Sequence, residues 1–396
     1  MTYVPKVIAF DYETALLDGT PSVEHYRHDF RAISCAFSWY REDGQIKSAF
    51  KSDECEIRKF LQYIVNKGIV LVAHNAQFEM GVTKSRFKMW LPKIHDTMRL
   101  VQVRDNGGKK YQEQQVYHSS IEIEEAKLSG KWKMHSGLGL TSACKRLLPG
   151  YENHKEKYHK LIVKRGGSKG SEGSRLDLLT KEELMHYNVA DTENTLKLYT
   201  QVVGDLKKDN YNPALDHRLY LGSVKRIIKS YIKGVKVNLT KLRITIFVLE
   251  EEIENIEKAF HKRFEKEIAD ILEERACMKA MVLKTERGMY DYFERLKGKP
   301  LWFNTNSGKQ LEELFVGRLG FEIKFRTDKG NPRFGAAFLP NYGEGGRILK
   351  GKKTTMLTLS QAKNLRELSR YDGRWHIDLK ACGTATGRFA GGRHGH

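Results

Sequence analysis

The period of the apolar positions changes along this chain, and the changes mark its elements. A short apolar run, Val7 to Phe10, ends at an acidic residue. Ala32 to Trp39 and Ile46 to Phe50 read as further strands, joined at Asp43-Gly44. Helical spacing then takes over from Glu54 to Val65, and Ile69 to Ala73 is a continuous apolar run that suits a buried strand. Strands, helix and strand in this order predict an α/β domain around a mixed sheet. Asp105 to Lys110 and the stretch KRGGSKGSEGSR, Lys164 to Arg175, carry no period and predict loops. Thr180 and Glu183 then form the T-x-x-E capping pattern, which predicts a helix through Tyr187 and Asp191 to about Tyr199.

Asn210 to Pro213 breaks the chain, so the domain boundary is placed there, giving domains 1–209 and 210–396. Beyond it, Leu242, Ile246, Leu249, Ile253, Ile256, Phe260 and Phe264 recur at spacings of three and four along a highly charged helix. Such a stripe is a packing seam, and pairing it with a helix from about Leu215 to Ile232 predicts an elongated helical arm. From Trp302 onward the chain is Gly-rich and basic, with short helices expected at Gly308 to Arg318 and Ser360 to Arg370. No internal repeat is evident.

Composition narrows the class. A chain of 396 residues is long enough for two domains, each with its own core. No apolar run approaches the roughly 18 residues of a membrane span, and the N-terminus, MTYVPKVIAF, lacks a secretory layout. An intracellular protein with no membrane partner is the expectation. Five scattered cysteines without a CxxC pair support neither a disulfide framework nor a zinc ribbon. The net charge of +20 favours a polyanionic partner, and from Asn341 to His396 eleven Lys or Arg face four Asp or Glu.

Acidic residues at element ends supply the candidate chemistry. Phosphodiester hydrolysis needs a nucleophilic water and charge neutralisation on the phosphate, which two divalent cations about 3.5 to 4 Å apart supply. Hard cations take oxygen ligands, so carboxylates gathered from separate elements would suit two Mg²⁺ or Mn²⁺. Asp11 and Glu13, in FDYET, lie two apart at the end of a predicted strand and so share a face; a solvated strand end is the bland alternative. In HNAQFE, Glu79 follows a strand, His74 reads as a candidate or a satisfied core residue, and Asn75 reads chiefly as a helix cap. Tyr187 and Asp191, four apart, share a helix face, where a phenol could hold an attacking water beside a metal carboxylate.

Together FDYET, HNAQFE and YNVAD resemble the three exonuclease motifs of the tyrosine-bearing branch of the DEDD superfamily. The resemblance implies an RNase H-like fold and a two-metal 3′-5′ exonuclease. Asp11 would bridge both metals, Glu13 and Asp191 would bind the metal beside the nucleophile, Tyr187 would orient the water, Thr14 would lie near the terminal nucleotide, and Asn75 would be a DNA contact. Glu79 departs from the family, which most often has Asp at the end of its second motif. Asp96, in HDTMRL, matches a commonly acidic family position without being expected to bind metal.

The second half resembles family A DNA polymerases. FNTNSGKQLEELFVGRLG, Phe303 to Gly320, is similar to their thumb segment, and GVKVN, Gly234 to Asn238, to the element before the long thumb helices. TATGR, Thr384 to Arg388, is similar to the primer-template contact motif where the palm begins. This resemblance implies a mainly α-helical thumb and the edge of a palm, with Asn304, Ser307, Lys309, Gln310, Thr384, Thr386 and Arg388 as DNA contacts. The layout is similar to that of bacteriophage replicative polymerases, which implies the cytoplasm of a host cell. The family's catalytic palm and fingers lie beyond the last motif seen here, so either a separate polypeptide supplies them, the expected partner beside single-stranded or primer-template DNA, or the sequence is a truncated one. Two alternatives stand beside this reading: a non-catalytic DNA-binding clamp of a split polymerase, silenced at Glu79, and an RNase D-like RNA exonuclease, which would leave the thumb and TATGR segments unexplained.

Overall fold

A computed structural model of the chain describes residues 4–20, 22–105, 138–167, 175–209, 211–281, 302–327, 330–381 and 390–391. These residues group into two compact units, one within Met1–Val235 and His376–His396, the other within Lys236–Trp375.

The first unit is built on a five-stranded mixed sheet. Its strands are β1 (Val7–Leu16), β2 (Phe30–Tyr40), β3 (Ile46–Lys51), β4 (Val70–Ala73) and β5 (Ile94–Asp96), in the order β3-β2-β1-β4-β5. β1, β2 and β3 form an antiparallel meander, whereas β4 runs parallel to β1 and β5 parallel to β4. Gly44, at φ 78°, supplies the left-handed residue of the turn between β2 and β3. Strand alternation divides β1 into two faces. Ile8, Phe10 and Tyr12 enter a core with Phe37, with Ile57, Leu61 and Ile64 of α1 (Glu54–Asn66) and with Met80 of α2 (Ala76–Phe87). Ala9 points the other way and packs with Val72 against Leu196 of a long helix, Lys181–Lys208. The sheet is thus covered on both faces, as the α/β reading requires.

Between these lie α3 (Thr97–Arg104), α4 (Leu140–Leu147) and α5 (His154–Lys164); the long helix is α6, and α7 spans Pro213–Lys233. The capping box at Thr180 and Glu183 forms as the sequence predicts. The helix runs past the expected end at Tyr199 because Leu198, Val202 and Leu206 continue a stripe that buries against Leu100 and Val101 of α3 and Ala143 of α4. A hydroxyl chain pins α6 to the sheet: Ser38 Oγ lies 2.7 Å from Thr192 Oγ1 and 2.8 Å from Ser48 Oγ, and Ser48 donates to Glu193 at 2.9 Å.

The second unit is mainly helical, with α8 (Leu239–Arg263), α9 (Glu265–Met281), the short α10 (Gly308–Glu312) with a π-helical turn after it, and α11 (Gly343–Leu368). Two expectations need correction. The apolar seam of α8 pairs with α11, not with the helix before it; Lys363–Glu250 at 2.7 Å and Lys352–Glu257 at 2.6 Å tie the pair. The preceding helix, α7, instead buries Leu221, Val224 and Ile228 in the first unit's core. The helix expected to begin at Ser360 begins at Gly343, because its glycines serve close packing: a Cβ on Gly346 would lie 1.8 Å from the Leu339 carbonyl oxygen. Among the described residues no helix is long and apolar enough to cross a membrane.

Candidate metal centre

The strand face opposite Phe10 and Tyr12 carries Asp11 and Glu13, whose β2 neighbours Ala36 and Ser34 are small. α6 crosses that face and brings Asn188 and Asp191 to it. Ligand oxygens of Asp11, Glu13 and Asp191 all lie within 4.8 Å of one another. Asn188 braces the strand pair, its Nδ2 donating to Asp11 Oδ2 at 3.0 Å and approaching Glu13 Oε1 at 3.4 Å.

Glu79 comes from α2 and is 2% exposed. Its turn is anchored to β1, since Thr83 Oγ1 donates to the Glu79 carbonyl at 2.7 Å and lies 3.0 Å from the Tyr12 hydroxyl. Glu79 stands outside the group of three yet close enough to Asp11 for each to shift the other, and its Oε2 has no hydrogen-bond partner among the described residues.

Burying like charges is costly, and the carboxyls respond by favouring their protonated forms. Burial first, then Asp191, pushes Asp11 up to about 7. Burial and then Asp11 push both Glu13 and Glu79 well above the usual carboxylate range. Asp191 moves the other way: burial works upward, but Lys155 and His154 outweigh it and hold the group low.

That difference comes from α5. Lys155 Nζ lies 2.7 Å from Asp191 Oδ2, and His154 Nε2 lies 3.1 Å from Oδ1 without hydrogen-bond alignment. Lys155 Nζ also sits 5.1 Å from the centre of the Tyr187 ring, which Tyr158 packs edge-on at 5.7 Å. Burial raises the Tyr187 phenol above its ordinary value, so it is a neutral O–H over the neutral range.

Other motif residues have different places. His74 is satisfied at both nitrogens, Nδ1 at 2.8 Å from Thr97 Oγ1 and Nε2 at 2.7 Å from the Leu138 carbonyl. Asn75 makes no side-chain cap, contrary to expectation; it adopts φ 69° and its backbone N–H goes to Asp96. Its exposed side chain is left to point outward. Asp96 is a buried latch, accepting from Asn75 N at 3.0 Å, Met98 N at 2.9 Å and the Tyr220 hydroxyl at 2.8 Å. The Thr14 hydroxyl, just past a β-bulge, donates to the Ser22 carbonyl.

Residues 3–207 match the 3′-5′ exonuclease family of DNA polymerase A type. The chain belongs to that exonuclease family. Among solved structures, "POL domain of Pol1 from M. smegmatis complex with DNA primer-template and dNTP" is similar, with a TM-score of 0.62 and 12% identity over 98% of this chain. At that identity the likeness is one of fold. The match covers 51% of the Pol1 chain, so this chain spans about half the length of that relative. No curated protein sequence matches.

In this exonuclease-family chain the donor set fits divalent cations. The ligands are hard oxygens, they repel one another when ionised, and Glu79 keeps a buried oxygen without a partner. Asp11, Glu13 and Asp191 would hold the ions, with Glu79 beside Asp11. When bound, the ions supply charge neutralisation on the phosphate and a more acidic water. From the protein side Asn188 fixes the strand carboxylates, and Tyr187 lies one turn before Asp191 on the same helix.

Sequence reasoning missed Asn188, His154 and Lys155. Asn188 lies inside YNVAD, three residues before Asp191 and therefore near its helix face. His154 and Lys155, in NHKEKYHK, look like any solvated charged helix until the fold brings them to Asp191. In the second unit, the Asn304 N–H bonds Gln310 Oε1, Asn304 Oδ1 accepts from Asn306 N, Ser307 caps α10, and Lys309 is exposed. Thr384, Thr386 and Arg388 lie outside the described residues.

Proposed function

We propose that this chain is the proofreading portion of a phage-type family A DNA polymerase, removing the 3′-terminal nucleotide from single-stranded or frayed primer DNA. Two Mg²⁺ or Mn²⁺ would be held by Asp11, Glu13, Glu79 and Asp191. A water oxygen attacks the last phosphorus, the bond to the penultimate 3′ oxygen breaks, and a 5′-nucleotide and a shortened 3′-hydroxyl strand result. Tyr187 orients the attacking water. Frayed ends are preferred because freeing a paired base costs a few kcal/mol, least at a mismatch. Thr14 and Asn75 are assigned to the terminal nucleotide, and Asn304, Ser307, Lys309, Gln310, Thr384, Thr386 and Arg388 to the primer-template. DNA synthesis belongs to the proposal only together with a palm and fingers, from further sequence or a separate polypeptide.

The observation that supports this reading is the convergence of Asp11, Glu13 and Asp191 within 4.8 Å, with buried Glu79 near enough to feel the charge of Asp11. The test is digestion of a mismatched DNA primer, followed nucleotide by nucleotide with Mg²⁺ or Mn²⁺. Asp11→Ala should slow it by about a hundredfold or more, as loss of a ligand shared by both ions requires, and a chelator should stop it. An Asp11→Ala rate equal to wild type would refute the site. DNA binding without degradation would favour the clamp, and faster trimming of an RNA strand would favour the RNase D-like alternative.

A further inference from the structure

Helix α2, which carries Glu79, starts without a local cap. Asn75 enters it in the left-handed conformation, at φ 69°, and its side chain makes no cap bond. An uncapped start leaves first-turn N–H groups without their usual acceptor, so the place of this turn rests on bonds from elsewhere. Asp96 takes the Asn75 N–H. A second tether is the side chain of Gln77, which reaches Leu379, 302 positions on in sequence.

Leu379 belongs to a two-stranded ribbon within the first unit, β6 (Leu379–Lys380) paired antiparallel with β7 (Ala390–Gly391). Gln77 Nε2 donates to the Leu379 carbonyl, and Gln77 Oε1 accepts from the Ala381 N–H at 3.0 Å. One side-chain amide, with its donor and its acceptor both used, thus stands beside β6 as a residue of a neighbouring strand would. Ala381 is buried in the same core as Met80 of α2, and Leu379 packs against that core, so the ribbon is itself anchored. Residues two apart on a helix point roughly 200° apart. Gln77 therefore faces the ribbon while Glu79 faces Asp11.

We propose that Gln77 is a positioning residue for Glu79, and that through it the β6–β7 ribbon is a working part of the metal centre. Glu79 needs such support. It lies outside the group formed by Asp11, Glu13 and Asp191, and its side chain is one methylene longer than that of aspartate. A longer side chain has more rotamers to choose from, so its carboxylate is held in one place only if its backbone is. The two bonds of the Gln77 amide fix that backbone from the side away from Asp11. The inference rests on the exonuclease reading of this centre and brings into it a segment beyond residues 3–207, the extent of the exonuclease match.

The test is Mn²⁺ binding by the full chain without DNA, with free Mn²⁺ read by electron paramagnetic resonance. Gln77→Met, which keeps the length and loses both bonds, should weaken binding by about tenfold, the usual worth of a residue that orients a metal ligand. Ala381→Pro removes the N–H from the other side, after a strand residue that accepts a following proline, and should weaken binding in the same direction. Glu79→Ala should weaken binding at least as much, and adding Gln77→Met to it should cost nothing further, because Gln77 acts through Glu79. A residue that merely holds the fold would multiply the loss. In digestion of the mismatched primer, the half-saturating Mn²⁺ concentration should rise for Gln77→Met while KM for the DNA is unchanged. Circular dichroism verifies folding. Wild-type Mn²⁺ affinity in Gln77→Met or in Glu79→Ala, losses that multiply in the double variant, or unfolding of both Gln77→Met and Ala381→Pro overturns the proposal. Absence of any Mn²⁺ binding by wild type instead removes the exonuclease reading on which it rests.

Discussion

Asp11 carries a conflict between burial and charge that can be read as a pH dependence. Burial, then Asp191, raises its folded value to about 7, while an unfolded aspartate titrates near its ordinary value of about 4. Between those values the folded chain holds more protons than the unfolded chain, so stability in chelator falls as pH rises through the window. Glu13 and Glu79, raised by burial and then by Asp11, act with the same sign. Asp191 acts with the opposite sign: held low by Lys155 and His154, it stabilises above its unfolded value and loses that contribution in acid. Asp11→Asn removes one member of the raised set. Its melting temperature relative to wild type in chelator should therefore rise between about pH 5 and about pH 8. Saturating Mn²⁺ should favour wild type, because the ion binds only the folded centre. A melting difference that stays flat across this window in chelator would mean that Asp11 titrates normally.

The helix α11 shows where element-level reasoning from sequence succeeds and where it fails. Glycine in a helix interior costs about 1 kcal/mol against alanine, so a segment with Gly343, Gly345, Gly346 and Gly351 reads as a loop. Packing overrides that preference. Gly345 lets the rings of Phe264 and Phe315 approach, and Gly346 lies against the backbone of the 3₁₀ turn Leu339–Tyr342. Gly346→Ala should therefore lose stability by about 2 kcal/mol or more, since overpacking against an unyielding carbonyl outweighs the helix-propensity gain. Gly351, whose Cβ would meet nothing within 4 Å, is the opposite case. Gly351→Ala should gain about 0.5 to 1 kcal/mol. Urea denaturation of both variants checks the pair, and equal signs would reject the packing explanation. The strands and the α6 capping box were legible because their signals are local: alternation, a turn at Asp43-Gly44, a cap at Thr180. The Asp11 and Glu13 pair was legible for the same reason. The partner of the α8 seam and the role of Lys155 were not, because each depends on which distant segment arrives. A lysine among charged neighbours carries no mark of the carboxylate it will meet.

For the molecule as a whole, the excess of +20 is a statement about partners and not about fold. Each phosphate neutralised on a single strand releases counterions, so the logarithm of the binding constant should fall with the logarithm of salt by about 0.7 per contact. A chelator separates this grip from hydrolysis, since the basic side chains need no metal to bind. If the chain holds a single-stranded 3′ tail through at least a few phosphates, the slope in chelator should be steeper than about −2. Lys309 is exposed next to the cap of α10, which leaves its ammonium to solvent or a phosphate. Lys309→Ala should weaken binding to unrelated DNA sequences alike and make the slope shallower by about 0.7, the mark of one lost phosphate contact. Fluorescence anisotropy across a salt series reads both quantities. A slope unchanged by Lys309→Ala removes that lysine from the DNA-binding surface, and a slope near zero in wild type means that the basic excess serves some partner other than a nucleic acid.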